Sequence, residues 1–399
     1  MHRLLAHTVA LLAIVLTAGT AWGHGTANEK GSIPGREIQF PDTADRLTLA
    51  VDLHTHSVFS DGHVWPRIRV SEAIMDGLDA LAITEHLEWQ PHLADIPHPD
   101  RNRAFEDAVA SLPEGSDLIL IAGSEITRLE PIGHMNAVFI QDANTLFQPP
   151  VPTEPYDARE YAIAAGEWPP EQALVAAEQQ GAFVFWNHAW WQQANQIAVM
   201  TDFHRQAIKD KRLHGIEIAN GDAYSPEAFQ LALAHGLTPI GVSDVHELID
   251  WDYPPHAGSH RPVNLVFAET RSAEAIRAAL FDGRTVVWYR NLLIGRERDL
   301  LPLLTASIRA AEVSWSGESS VLEVVLENPS DAAFELENLS EHTLIESATT
   351  LVVPPHSRDT YAFRVAKRQP SVTLSFRVRN ALIAPDAHPT LEFTLQPGG

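Results

Sequence analysis

Five apolar, strand-like runs in this chain each stop at side chains that bind metals. LTLAVDLHTHS ends in His54 and His56, LDALAITEH in Glu85 and His86, DLILIAGSE in Glu125, GAFVFWNH in His188, and LTPIGVSDVH in Asp244 and His246. One histidine after a strand means little, but five successive strands that stop this way imply that their ends converge on one polar centre. Side chains alternate across a strand, so residues i and i+2 share a face: His54 aims with His56, and Asp244 with His246. Imidazole nitrogen and carboxylate oxygen suit zinc, manganese or iron. With no cysteine in the chain, sulfur-ligated zinc and iron–sulfur clusters are excluded. The pattern is that of a metallohydrolase.

The 399 residues leave room for a barrel of about 250 residues and a smaller domain. A formal charge of −24 argues against a protein that grips the phosphates of long nucleic acids and favours small substrates. The first residues, MHRLLAHTVALLAIVLTAGTAWGHG, have a basic start at Arg3, an apolar run from Leu11 to Leu16 and small residues up to Gly23. That is the layout of a secretory signal over residues 1–23, and it predicts a periplasmic or secreted protein with no stable membrane insertion after cleavage. Without cysteine there is no lipoprotein anchor and no disulfide, so a large core and bound metals must hold an exported chain together.

Residues 24–46 are polar and punctuated by Gly and Pro, and read as a tether. Over residues 47–301, strand runs alternate with helical stretches such as WPRIRVSEAIMDG, PPEQALVAAEQQG, PEAFQLALAHG and SAEAIRAALFDG, which predicts parallel βα units. Over residues 302–399 the texture changes to short alternating runs (SSVLEVVLENP, DTYAFRVAK, SVTLSFRVRN) with turn residues between them, which predicts a small antiparallel β-sandwich. Only three of the twenty histidines lie there, so the chemistry belongs to the first domain.

His54-Thr55-His56 followed by Ser60-Asp61-Gly62, then Thr84-Glu85-His86, Gly123-Ser124-Glu125, Gly133-His134, Asn187-His188 and Ser243-Asp244-Val245-His246, in this order, resemble the PHP family, named for polymerase and histidinol phosphatase domains. The resemblance runs from about Leu47 to Gly295. It implies an α/β fold, a distorted (β/α)7 barrel, with up to three divalent metals at the strand ends. His54, His56 and Asp244 would hold one metal, His134 and His188 a second, with Glu125 bridging both. Asp61, His86 and His246 would hold the third. Some members have histidine where this chain has Asp61, so the third site is richer in oxygen; manganese fits it best, with zinc or iron as alternatives. Glu85 reads as a partner that orients an imidazole.

The family chemistry is phosphoester hydrolysis. Metals about 4 Å apart bring the pKa of a shared water from near 16 towards 7, and the resulting hydroxide attacks phosphorus in line. With its secretory start, the stretches GHMNAVFI, FVFWNHAWW and GIEIANGDAYSPEA, and a C-terminal β-domain, the chain looks most like secreted PHP phosphodiesterases acting on small organophosphate diesters. The alternatives are a phosphomonoesterase of the histidinol phosphatase type, an exonuclease on short oligonucleotides, and a non-catalytic periplasmic metal-binding protein. Monoester specificity needs extra cations around a dianion, and Arg261 and Arg128 are the nearby basic residues.

Around the ligand motifs, Trp190 and Trp191 are expected to wall an apolar pocket for the ester group, their bland reading being packing under the loop. Arg261 could clamp a phosphate oxygen through its planar fork or form an ordinary ion pair. His260 or His63 could donate a proton to the leaving group, though either is more often a plain loop histidine. Glu217 and Asn220 close GIEIAN at the same barrel end; Asn220-Gly221-Asp222 is also an ordinary turn signal, and a structural role is expected.

Overall fold

The computed structural model describes residues 37–254, 258–345 and 347–398. The signal expected at residues 1–23, and the tether as far as residue 36, lie outside the described residues. Among these residues, no helix is long and apolar enough to cross a membrane.

Eleven strands of the first domain form one curled sheet: β1 (Leu47–Asp52), β2 (Ala80–Ile83), β3 (Ile119–Ile126), β4 (Met135–Val138), β5 (Phe183–Trp186), β6 (Gly215–Asn220), β7 (Ala223–Tyr224), β8 (Thr238–Val242), β9 (Val263–Ala268), β10 (Thr285–Tyr289) and β11 (Leu292–Gly295). Their order is β11-β10-β9-β1-β2-β3-β4-β5-β6-β7, with β8 paired to β6. The pairs β1–β2, β2–β3, β5–β6 and β6–β8 are parallel, as the alternation of strands and helices predicts. The four helical stretches read from the sequence form helices Pro66–Met75, Pro170–Gln179, Pro226–His235 and Ala273–Phe281. Pro stands at the start of the first three, where its missing N–H costs nothing. Gly236 closes Pro226–His235 in the left-handed conformation that favours glycine.

This is a curled mixed sheet, and it does not count out to seven βα units. β4 runs antiparallel to both β3 and β5, and β9–β11 return antiparallel beside β1. Alternate residues of β5 divide as the pleat requires. Phe183 and Phe185 join Val51, Ile240 and Val242, while Val184 and Trp186 join Leu174 and Phe229 of the covering helices.

The curl is closed where β8 meets β1 and β9. Along Leu47–Val51, β1 pairs with β9. Beyond Asp52 its neighbour changes: Asp244 N–H donates to His54 O and His56 N–H to Val245 O, at 3.0 and 3.1 Å. Below that point the carboxamide of Asn264 stands in for a backbone ladder, accepting from Gly241 N–H (3.0 Å) and donating to Gly241 O (2.8 Å). Gly241 must be glycine here, since a Cβ would lie 2.3 Å from Val287.

The second domain consists of two four-stranded antiparallel sheets, so the sandwich expectation holds. It is not a detached module. Helix Glu297–Ser307 runs across the boundary expected at residue 301, and the short strand Ala381–Leu382 adds to the edge of β11 as a twelfth strand of the first sheet. One apolar core runs from Leu81, Leu265 and Leu293 through Leu300 and Leu304 to Leu326 and Phe334. Within the expected tether, Ile38 N–H donates to Asp76 O, and Gln39 exchanges bonds with Asp331 of the second domain, so residues 38–39 are fastened down.

Candidate metal centre

The ligands gather because neighbouring strands end side by side. The β2–β3 ladder continues past Ile83 as a bridge between His86 and Glu125, and the β1 extension bridges Thr55 to Val245. His134 precedes its strand instead of following one. Since β4 is antiparallel, its beginning lies at the ligand end, where Asn187 N–H donates to His134 O at 3.0 Å. Two ligands occupy backbone conformations that side chains rarely adopt, His188 with φ 22° and Asp244 with φ 50°. Strain of this kind, on the order of 1–3 kcal/mol each, persists where surrounding structure over-determines a site.

All nine expected ligands come together. The Nε2 atoms of His54 and His56 are 2.9 Å apart, each within 3.2 Å of Glu125 Oε2 and 3.1 Å of Asp244 Oδ1. Glu125 Oε1 faces His134 Nδ1 at 2.7 Å and His188 Nε2 at 3.6 Å, so this one buried carboxylate touches both groups it was expected to bridge. Asp61 lies 3.2 Å from His246 Nε2 and 3.5 Å from His86 Nε2. His56 stacks between the rings of His86 and His246, at 4.6 and 4.4 Å, and its donor atom lies within 4.8 Å of those of Asp61, His86 and His246. It therefore sits at the junction of the first and third groups.

Divalent cations fit this donor set. Two imidazole nitrogens 2.9 Å apart gain nothing from facing each other, and the outer nitrogens are already engaged. His54 Nδ1 donates to Glu217 Oε1 (2.7 Å) and His246 Nδ1 to Asp244 O (2.8 Å), which leaves each Nε2 lone pair aimed inward. The electrostatics agree. Burial alone would raise Glu125 and Asp244, yet the surrounding imidazoles hold both carboxylates well below their ordinary range. Burial alone would lower His54, but Asp244, Glu125 and Glu217 raise it well above its ordinary value. Of the six ligand imidazoles only His134, where burial dominates, falls, to about 4. The cluster demands positive charge at its middle, which bound cations supply.

A layer the sequence reading undervalued holds these ligands. Glu217 is buried and takes three donors: His54 Nδ1, His188 N–H (2.6 Å) and Asn220 Nδ2 (2.9 Å); Asn220 also reaches Asp244 Oδ2 at 3.0 Å. Both residues orient ligands beyond any structural role, and the signal was available: a lone carboxylate inside an apolar strand, GIEIAN. Asn187 Nδ2 donates to Glu125 Oε1 (3.0 Å), and Thr127 Oγ1 meets His86 Nδ1 (2.7 Å). Glu85 acts as an orienting group: Ser60 Oγ donates to its Oε2 at 2.5 Å and accepts from His56 Nδ1 at 3.3 Å. Glu217→Gln is expected to lower metal affinity about 10- to 100-fold, as loss of a carboxylate behind a ligand histidine does, with the fold intact by circular dichroism. Unchanged affinity by metal titration would remove Glu217 from this role.

Two expected site residues lie elsewhere. Arg261 does not face a phosphate site: it is buried, its Nε donating to Asp76 Oδ2 at 2.8 Å and Nη1 to Asp52 Oδ2 at 3.2 Å. His260 does not reach the ligands either. It stacks on Trp288 at 3.3 Å, and its two nitrogens are engaged by the carbonyls of Arg261 and Arg290. His63 pairs with Glu247 and does not line the cavity over the centre.

That cavity, of about 350 Å³, is floored by the ligands and walled by Trp190, Trp191 and the turn Asn220–Ala223, so both tryptophans stand where a pocket wall was expected. Trp191 packs edge-on to His134 and His188 at 5.4 and 5.2 Å. A larger cavity of about 670 Å³ opens beside Thr48 and Asp79, near the start of β1; no histidine lines it among the described residues, and the ligand chemistry decides for the smaller one.

Six imidazoles and three carboxylates at the open end of a curled α/β sheet define a metal-dependent hydrolase. A two-domain protein from Bacteroides vulgatus, described as containing a predicted PHP-like metal-dependent phosphoesterase, is 37% identical, with 90% of this chain and 98% of that one covered at a TM-score of 0.79. The chain belongs to the family of PHP-like metal-dependent phosphoesterases. A family model described as an Ig-like domain matches residues 307–394. A candidate metal-dependent phosphoesterase from Bifidobacterium adolescentis is 20% identical over 50% of this chain and 88% of that one, and PsfC from Pseudomonas syringae 16% identical over 65% and 96%. Their TM-scores, 0.36 and 0.39, are too low to bear on the argument. Among curated proteins no relative matches.

Proposed function

We propose that the protein is an exported phosphodiesterase that hydrolyses small phosphate diesters with three divalent metals, manganese foremost. The observation that carries the choice of diester is the cavity wall: none of the described residues lining it is Lys or Arg. A monoester dianion calls for cations beyond the metals, and the two arginines singled out in the sequence, Arg128 and Arg261, are committed elsewhere. Arg128 is buried on Glu88 and on the carbonyls of Thr127 and Trp168, and Arg261 on Asp52 and Asp76. A diester monoanion needs only the charge of the centre itself.

In this reading His54, His56 and Asp244 would hold one cation, His134 and His188 a second, Asp61, His86 and His246 a third, and Glu125 would be shared by the first two. When bound, the metals supply a nucleophilic hydroxide at neutral pH and neutralise phosphate oxygens. The protein fixes the geometry: Glu217 locks the His54 tautomer and the His188 backbone, Asn220 pins Asp244, and Trp190 and Trp191 shield one side of the cavity from water.

Manganese-loaded protein is expected to cleave bis(p-nitrophenyl) phosphate much faster than p-nitrophenyl phosphate, and to lose that activity to a chelator. Preference for the monoester would replace this reading with a phosphatase. Chelator-resistant turnover would reject metal catalysis altogether.

A further inference from the structure

The cavity over the metal centre has an uneven rim. On one side stands Trp191, with 47% of its surface open. Its edge-on packing against His134 and His188 fixes the ring beside the centre and leaves the rest free for a ligand. Trp190 belongs to the same wall. The β6–β7 turn lines the same cavity and is held by its backbone: the Tyr289 hydroxyl and Arg290 Nη2 (3.1 Å) both donate to Asp222 O. The Asp222 side chain is left exposed, and its carboxylate has no hydrogen-bond or ion-pair partner among the described residues. Arg290, the guanidinium at this turn, donates to the carbonyl and is not among the described residues that line the cavity.

Resting on the phosphodiesterase reading above, we propose that this rim is a subsite for a quaternary ammonium group, so that preferred substrates are zwitterionic diesters in which one alcohol is of the choline type. The phosphate goes to the metals, and the ester arm leaving it enters a space bounded by indole surface and an unpaired carboxylate. A neutral arm gains apolar contact alone, and an anionic arm meets Asp222 with like charge. A cationic arm gains both the attraction of the indole faces and that of the carboxylate. A quaternary group suits such a wall better than a primary ammonium, whose compact charge is strongly hydrated. The chain's charge of −24 favours approach of a substrate that carries a positive end.

The test compares two diesters with the same leaving group, p-nitrophenyl phosphorylcholine and its neutral isostere p-nitrophenyl 3,3-dimethylbutyl phosphate, on manganese-loaded full-length protein. In both, water cleaves the aryl P–O bond, giving p-nitrophenol and the alkyl phosphate. The kcat/KM ratio is expected to favour the choline ester about tenfold and to fall towards one in Asp222→Asn and in Trp191→Leu. Because each variant is read as a ratio, any general loss of folding or metal cancels. A ratio near one in the native protein overturns the subsite and leaves the phosphodiesterase standing. A high ratio that neither variant moves overturns the assignment to this rim. If no diester is turned over, the catalytic reading fails. Calorimetric titration with phosphocholine and with 3,3-dimethylbutyl phosphate then still tests the subsite, and equal affinities overturn it.

Discussion

Glu125→Gln is expected to leave a folded protein without turnover. The residue is fully buried, and its two oxygens serve different partners: Oε1 faces His134, His188 and Asn187, while Oε2 faces His54, His56 and His86. An amide of the same shape keeps the packing but offers one oxygen where two are used, and turns an N–H2 group towards donors or cations. The loss in kcat/KM should exceed about 100-fold, the upper figure for removing a mere orienting partner. Metal content by mass spectrometry should fall together with activity, while circular dichroism and the urea midpoint of the apo protein stay close to native. An active Glu125→Gln protein with full metal content would sink the bridging assignment.

Arg261→Met is expected to act on stability. Its guanidinium is shared by Asp52 and Asp76 in a site closed to water. Asp52 in turn accepts from Ser243 N–H and Ser243 Oγ, at 3.2 and 2.6 Å, and from His54 N–H at 3.4 Å. This arginine therefore sits behind the joint between β1 and β8, linked through Asp52 to His54 and to Ser243, the neighbour of Asp244. Removing one partner of a buried pair costs roughly 3 to 5 kcal/mol, because the remaining charge stays buried. Urea denaturation should show a lower midpoint, and soluble yield should fall. A phosphate clamp would behave in the opposite way, raising KM with stability untouched. A variant of native stability and raised KM would return Arg261 to the substrate site.

Seven of the nine ligands were legible in the sequence because strand geometry is periodic: residues at strand ends share a direction, and neighbouring strands bring those ends together; Asp61, in the loop after β1, was legible only from the family's motif order. His134, which precedes its strand, was legible only from the family's motif order, because nothing local announces that β4 runs the other way. Arg261 and His260 misled for a related reason. They lie two and three residues before β9, in irregular chain, where adjacency in sequence fixes the end of the barrel but not the side. His260 turns to Trp288 and Arg261 to the acids behind β1. The division into βα units was legible from helix and strand texture, whereas the antiparallel returns of β4 and β9–β11 were not, since a strand's hydrophobic pattern carries no sign for direction.

The strand Ala381–Leu382 has a consequence for how this protein can be divided. It finishes the edge of the catalytic sheet from within the second domain, and Asn380 fastens the junction by donating to the carbonyls of Asn291 and Ala333. A gene cut between the two domains would strip β11 of its neighbour and open the shared core to water, leaving a sticky border where chains join one another. The metal-bearing half is thus no portable part. Whatever lineage or laboratory moves this activity into a new setting has to carry both halves together.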